Sequence, residues 1–164
     1  MKRYICGECI KGATHERNGK PLQDSKKIVE VSDNTVIIAV ADGHGSDKCA
    51  RSDRGSTIAV NAFCEVMRRY LTSYAEQKNG MQNLIAFLNR EGDTRFAQDV
   101  CEEWQARVKQ SFYKNKVETM MLDDGKPDWK SIFSLYGTTL LGMLVTDTFV
   151  FSFQIGDGDI VMIS

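Results

Sequence analysis

Two hydrophobic rhythms divide this chain. Strand-like runs stand at both ends, and helix-like stripes fill the middle. Residues 3–11 read as a first strand. Gly12 to Gln23 is a polar loop carrying the turn signals Asn18-Gly19 and Pro21. Asp24 to Val31 reads as a second strand, with Ile28 and Val31 apolar. After a Ser32-Asp33-Asn34 turn, Thr35 to Ala41 is an unbroken apolar run, the signature of a strand buried on both faces. Strand, turn and strand in this order predict an antiparallel hairpin, with Asp24 and Asp42 near the same end of the sheet.

The rhythm then changes to three- and four-residue steps. Ile58, Ala62, Phe63, Val66, Met67, Tyr70, Leu71 and Tyr74 form one apolar stripe on a helix from about Ala50 to Tyr74. Asp47, Ser52 and Asp53 supply acidic or capping groups near its start. A short helix carries Met81, Leu84, Ile85 and Leu88, and Glu91-Gly92-Asp93 is expected to break it. A third helix is marked by Phe96, Val100, Trp104, Val108 and Phe112. Lys114 to Lys130 is charged and irregular and reads as an exposed connection.

Period two returns at the end. Gly137 to Val145 and Thr148 to Ile155 read as paired strands around Thr146-Asp147, and Asp159 to Ile163 as a last strand. Phe149, Phe151 and Phe153 share one face, which is expected to be core. Strands, then helices, then strands give an α+β domain with antiparallel sheets.

The candidate chemistry sits at strand ends. Val36-Ile-Ile-Ala-Val-Ala stops at Asp42-Gly43-His44-Gly45-Ser46, and Phe149 to Ile155 stops at Gly156-Asp157-Gly158-Asp159. Asp-Gly after a strand is often only a turn. A carboxylate on a stiff strand beside a bare glycine carbonyl also suits a hard divalent cation, and two such ends could build one site. Cys6-Gly-Glu-Cys9 has no further ligand pair at zinc spacing and reads as structural.

Composition narrows the class. Hydrophobic residues are 42% and charged residues 26% of the chain, as in an ordinary globular domain. A net charge of −1 gives no reason to expect nucleic acid or a membrane surface as partner. No apolar stretch approaches membrane-spanning length, and the basic N-terminus lacks the apolar run of a secretory signal. Five cysteines, an odd number, fit a reducing cytoplasm better than a disulfide framework.

Gln23-Asp24, Val40-Ala41-Asp42-Gly43-His44-Gly45-Ser46, Gly137-Thr138-Thr139-Leu140 and Ile155-Gly156-Asp157 occur in an order that resembles the metal-dependent PPM, or type 2C, serine/threonine protein phosphatases. Gly12-Ala13-Thr14-His15 adds a likeness to bacterial members. The resemblance covers residues 1–164 as a single domain and corresponds to the N-terminal portion of the family's domain. It implies an αββα sandwich and a hydrolase acting on phosphoprotein substrates through two or more Mg²⁺ or Mn²⁺ ions, with attack by a metal-bridging hydroxide. Asp42 would bridge the metals and Gly43 would ligate through its carbonyl. Asp24 would ligate or hold bound water, and Asp157 would serve an additional position. His44 would be a general acid or would orient the loop.

Departures from the family's pattern accompany the likeness. Gln23 stands where the family often has Glu. The arginine that commonly precedes this pair is missing, leaving Lys20, Arg17 or His15 as candidates to hold phosphate. The Gly-Asp-Ser-Arg sequence common in the family reads Gly156-Asp157-Gly158-Asp159 here, and Asp159 reads as a turn residue. The resemblance also implies further strands and two further aspartates beyond this chain, so these residues alone are expected to bind metal weakly and turn over negligibly. The alternative is a non-catalytic, pseudophosphatase-like binding or regulatory module on the same fold.

Overall fold

The computed structural model describes residues 4–115, 121–122 and 124–163. Four strands form one antiparallel sheet in the order β1-β2-β3-β4: β1 Ser25–Ser32, β2 Thr35–Ala41, β3 Leu140–Val145 and β4 Val150–Ile155. The hairpin register places Ser25 opposite Ala41, so Asp24 and Asp42 follow one another off the same sheet end. Val40 faces Leu141 across the next pair, which brings the Thr138-Thr139 approach to β3 beside Asp42.

All the longer helices are inserted between β2 and β3. These are α2 Ser52–Ala75, α3 Gly80–Glu91 and α4 Ala97–Lys114, followed by the short α5 Trp129–Leu135; α1 is a single turn and a half, Ala13–Arg17, before β1. The stripe on α2 lies against the sheet as its spacing predicts: Ala62, Phe63, Val66 and Met67 are fully buried. Phe63 stands over Gly142, where a Cβ would come within 2.3 Å of the ring. Its ring centroid is 5.7 Å from that of Phe153 and 6.0 Å from that of Phe96, so one aromatic cluster joins α2, β4 and the approach to α4.

Several elements differ from the sequence reading. Residues 4–11 form no strand. Their tie to β1 is the Glu8–Lys26 ion pair at 3.6 Å rather than a ladder of backbone bonds. Asp159 to Ile163 is likewise not a strand, and Val161, Met162 and Ile163 are exposed. Glu91-Gly92-Asp93 does not break the helix. Residues Gly92–Phe96 make a π-helical turn that leads into α4, with Gly92 buried against the Phe151 ring. The connection read over Lys114 to Lys130 ends in helix: α5 begins at Trp129, and Asp128 caps it by accepting from the Ser131 N–H at 3.3 Å. The second sheet of the expected sandwich is not formed by the described residues. The observed α+β architecture is one open sheet with helices on one face.

Candidate metal centre

Asp42 is the first residue past β2, and its main chain is held on the β3 side. The Thr139 N–H donates to the Asp42 carbonyl at 2.8 Å, and the Thr138 hydroxyl donates to the same oxygen at 2.9 Å. The Asp42 N–H donates to Thr139 Oγ1 at 3.1 Å. Two positions further, His44 N–H donates to the Gly137 carbonyl at 3.1 Å. Gly43 and Thr138 are therefore a non-hydrogen-bonded pair, and the Gly43 amide and carbonyl both point away from β3. The amide meets the Gln23 carbonyl at 3.2 Å, so the Gly43 carbonyl opens toward Gln23-Asp24.

Gly43 is required by packing. A Cβ there would lie 2.7 Å from the Ser52 carbonyl oxygen and 2.8 Å from that of Gln23. The glycine lets the start of α2 and the entry to β1 close on it from both sides.

Asp157 reaches the same region by a second turn. Gly156 adopts φ 103°, a left-handed conformation open to glycine. Gln154 Nε2 donates to the carbonyls of Gly156 and Gly158 at 3.0 and 2.6 Å and holds the turn closed. Gly158 then lies against Leu141 on the open face of the sheet.

These arrangements place Asp24, Asp42 and Asp157 around one cavity of about 470 Å³, with Glu8 and Cys9 on its wall. Partial burial raises the Asp24 carboxyl above its ordinary value, and a hydrogen bond to Asp42 and that residue's charge push it the same way. Two carboxylates in contact repel, and a divalent cation between them would relieve that repulsion. The carboxylates at the cavity are hard oxygen donors and fit Mg²⁺ or Mn²⁺. Among the described residues, no three His, Cys, Asp or Glu side chains converge as a ready-formed ion cage.

Residues 11–164 match the family model of protein phosphatase 2C. The chain belongs to that family. No match was found among curated proteins, and none among solved structures.

The family's expected residues are not all at the cavity. Lys20 does not line it: its ammonium donates to the Gly45 carbonyl at 3.1 Å and pairs with Asp47 at 3.7 Å, which staples the glycine loop. Arg17 bonds back to the Ala13 carbonyl on α1. His15, also on α1, lies near enough for its positive charge to oppose the upward shift of Asp24. His44 turns to the helix side. Its Nδ1 is 4.0 Å from Cys49 Sγ, and it lines a separate cavity of about 260 Å³ with Ala59, Val100, Trp104 and Leu140.

Gln23 points away from the carboxylates as well. Its side chain is only 7% exposed, and its amide donates to Ser52 Oγ at 2.7 Å. This bond ties the entry of β1 to the first residue of α2.

Sequence reasoning quoted Thr138 and Thr139 without a role; the structure makes them the clamp on Asp42. It missed Glu8 and Cys9 at the cavity, because a strand over 3–11 gave no reason to carry that segment across the open face.

Proposed function

We propose that this chain carries the metal-dependent chemistry of a serine/threonine phosphoprotein phosphatase, hydrolysing phosphomonoesters with Mg²⁺ or Mn²⁺. The observation that supports the reading is the meeting of Asp24 and Asp42 at one sheet end, with Asp157 on the same cavity. When bound, two such cations neutralise phosphoryl oxygens and acidify a water for attack.

The chain's own residues then have distinct tasks. Asp42 presents its carboxylate from a main chain pinned by Thr138 and Thr139, so little reorganisation is needed on binding. Asp24 completes the pair. Gly43 contributes its carbonyl, and Asp157 lies where it can support a further cation. Gln23 acts on the other side, holding α2 against the strand that delivers Asp24. The phosphate candidates Lys20 and His15 act on the loop and on α1. His44 orients the glycine loop rather than serving as an acid, because it faces an apolar cavity.

Among the described residues, no lysine or arginine lines the carboxylate cavity. That observation favours a second reading, a non-catalytic module that binds metal and phosphoprotein without turnover. No described helix is long and apolar enough to cross a membrane. Five unpaired cysteines accord with a cytoplasmic location.

The two readings separate in one assay. The protein is incubated with an aryl phosphate at graded Mn²⁺, beside the Asp42→Asn variant. Mn²⁺-dependent hydrolysis lost in the variant supports the enzyme. Mn²⁺ uptake without hydrolysis supports the module.

A further inference from the structure

A hydrogen bond at the start of β1 links the linings of two cavities. Ser25 lines the carboxylate cavity, and its hydroxyl hydrogen-bonds Thr57 Oγ1 at 2.9 Å. Thr57 in turn lines a polar groove of about 440 Å³ between α2 and α4. The charged residues of that groove are Arg54, Arg107 and Lys114 against the single acid Asp53. Arg107 is engaged by Glu103 at 2.7 Å. Arg54 and Lys114 are exposed and have no ion pair among the described residues. Lys27, donating to Asn61 Oδ1 at 2.5 Å, adds a further cation on the rim. The groove is therefore positive on a chain whose net charge is −1.

The neighbouring carboxylate cavity has the opposite character. Asp24, Asp42, Asp157 and Glu8 line it, so it repels an approaching phosphoprotein until cations are bound. Attraction for an anionic substrate must come from beside it. Arg54 lies one turn of α2 from Thr57, a separation of about 5 Å along the helix. An extended peptide rises about 3.3 Å per residue, so the step from Thr57 to Arg54 spans about two of its residues.

We propose that the groove between α2 and α4 binds the acidic residues flanking the phosphorylated serine or threonine of a phosphoprotein substrate. This rests on the phosphatase reading, and it names the substrate class: phosphosites followed or preceded by Asp and Glu. Arg54 and Lys114 supply the attraction, and the hydroxyl and amide groups of Thr57, Asn61 and Ser111 offer neutral contacts. Such charges select partners and speed encounter more than they add affinity, and they are screened by salt.

The test uses two fluorescein-labelled phosphoserine peptides that differ only in acidic or neutral flanks. Binding is read by fluorescence anisotropy, and hydrolysis of an aryl phosphate is measured alongside. The wild-type protein binds the acidic peptide about tenfold tighter at low salt, a preference that collapses near 0.5 M salt. The double variant Arg54→Glu/Lys114→Gln loses the preference while aryl phosphate turnover is unchanged. Glu is well accepted in the first turn of a helix, so α2 persists. The milder Arg54→Gln reduces the preference about threefold, in keeping with one exposed charge. Equal affinity for the two peptides, or a preference that survives both variants, overturns the proposal. Peptide preference without aryl phosphate hydrolysis overturns the phosphatase reading and leaves the groove. Hydrolysis without preference does the reverse.

Discussion

Replacing Gly43 by alanine tests the link between packing and site in a single methyl group. The new Cβ would stand 2.7 Å from the Ser52 carbonyl oxygen and 2.8 Å from that of Gln23. Both obstacles are backbone, so no rotamer change relieves them. Overfilling of this kind costs about 1–3 kcal/mol, and two rigid neighbours place it near the top of that range. Alanine also restricts the unfolded chain, which returns about 0.4–1 kcal/mol, because Gly43 does not occupy the left-handed region. The net loss is about 2 kcal/mol, or roughly 4–8 °C in melting temperature for a chain of this size. The displaced strand entry carries Asp24 away from Asp42, so Mn²⁺ uptake falls with stability. Gly45→Ala is the control. Its Cβ meets only Gln23 Oε1 at 3.6 Å, an ordinary contact, and its melting temperature stays at or slightly above wild type. Thermal melts in metal-free buffer compare the two. A Gly43→Ala protein that melts with the wild type and binds Mn²⁺ equally well would refute the close-approach argument.

Three further outcomes follow from the same structure. Phe63→Ala removes a fully buried ring from the α2–sheet contact and costs about 3–5 kcal/mol in urea denaturation. Thr138→Val deletes the hydroxyl that donates to the Asp42 carbonyl; it costs about 1 kcal/mol and weakens Mn²⁺ uptake, read by parallel melts and titration. Burial, then its hydrogen bond to Asp99 and that carboxylate's charge, push the Tyr70 hydroxyl up from 10.0 to about 12. Because the folded value lies above the unfolded one, this contribution is intact below about pH 10 and is lost as pH rises through about 12. Absorbance titration of tyrosinate shows the late step, and Tyr70→Phe removes it.

The central parts of the fold were legible because two periods and a few turns dictate them. Val36 to Ala41 is apolar at every position and becomes the body of β2, packed on α2 at one face, while Val40 on the other face is exposed rather than buried. The α2 stripe is regular enough to fix which side meets the sheet. The misread elements share a cause: local pattern without a partner. Residues 3–11 and 159–163 have strand composition, yet β propensity acts only where a neighbouring strand supplies the ladder. Gly92 looks like a helix breaker, but Phe151 lies against it and the helix continues through a π turn. The adjacency of Asp24 and Asp42 was legible because paired strand ends set it. The turn away of Gln23 and His44 was not, because which face a residue takes just past a strand depends on contacts with Ser52, Cys49 and Gly137 that are distant in sequence or set by the loop.

Water-proton relaxation during Mn²⁺ titration tests the central claim most directly, since it detects weak binding and does not depend on turnover. Three carboxylates and one carbonyl are a sparse set for ions that give up water reluctantly, so the wild-type protein binds Mn²⁺ weakly. Asp42→Asn removes the charge that Asp24 faces, and the affinity falls at least tenfold while the melting temperature of the metal-free protein is unchanged or higher, as expected when two like charges no longer meet. Binding of Mn²⁺ to Asp42→Asn with wild-type affinity would contradict the account.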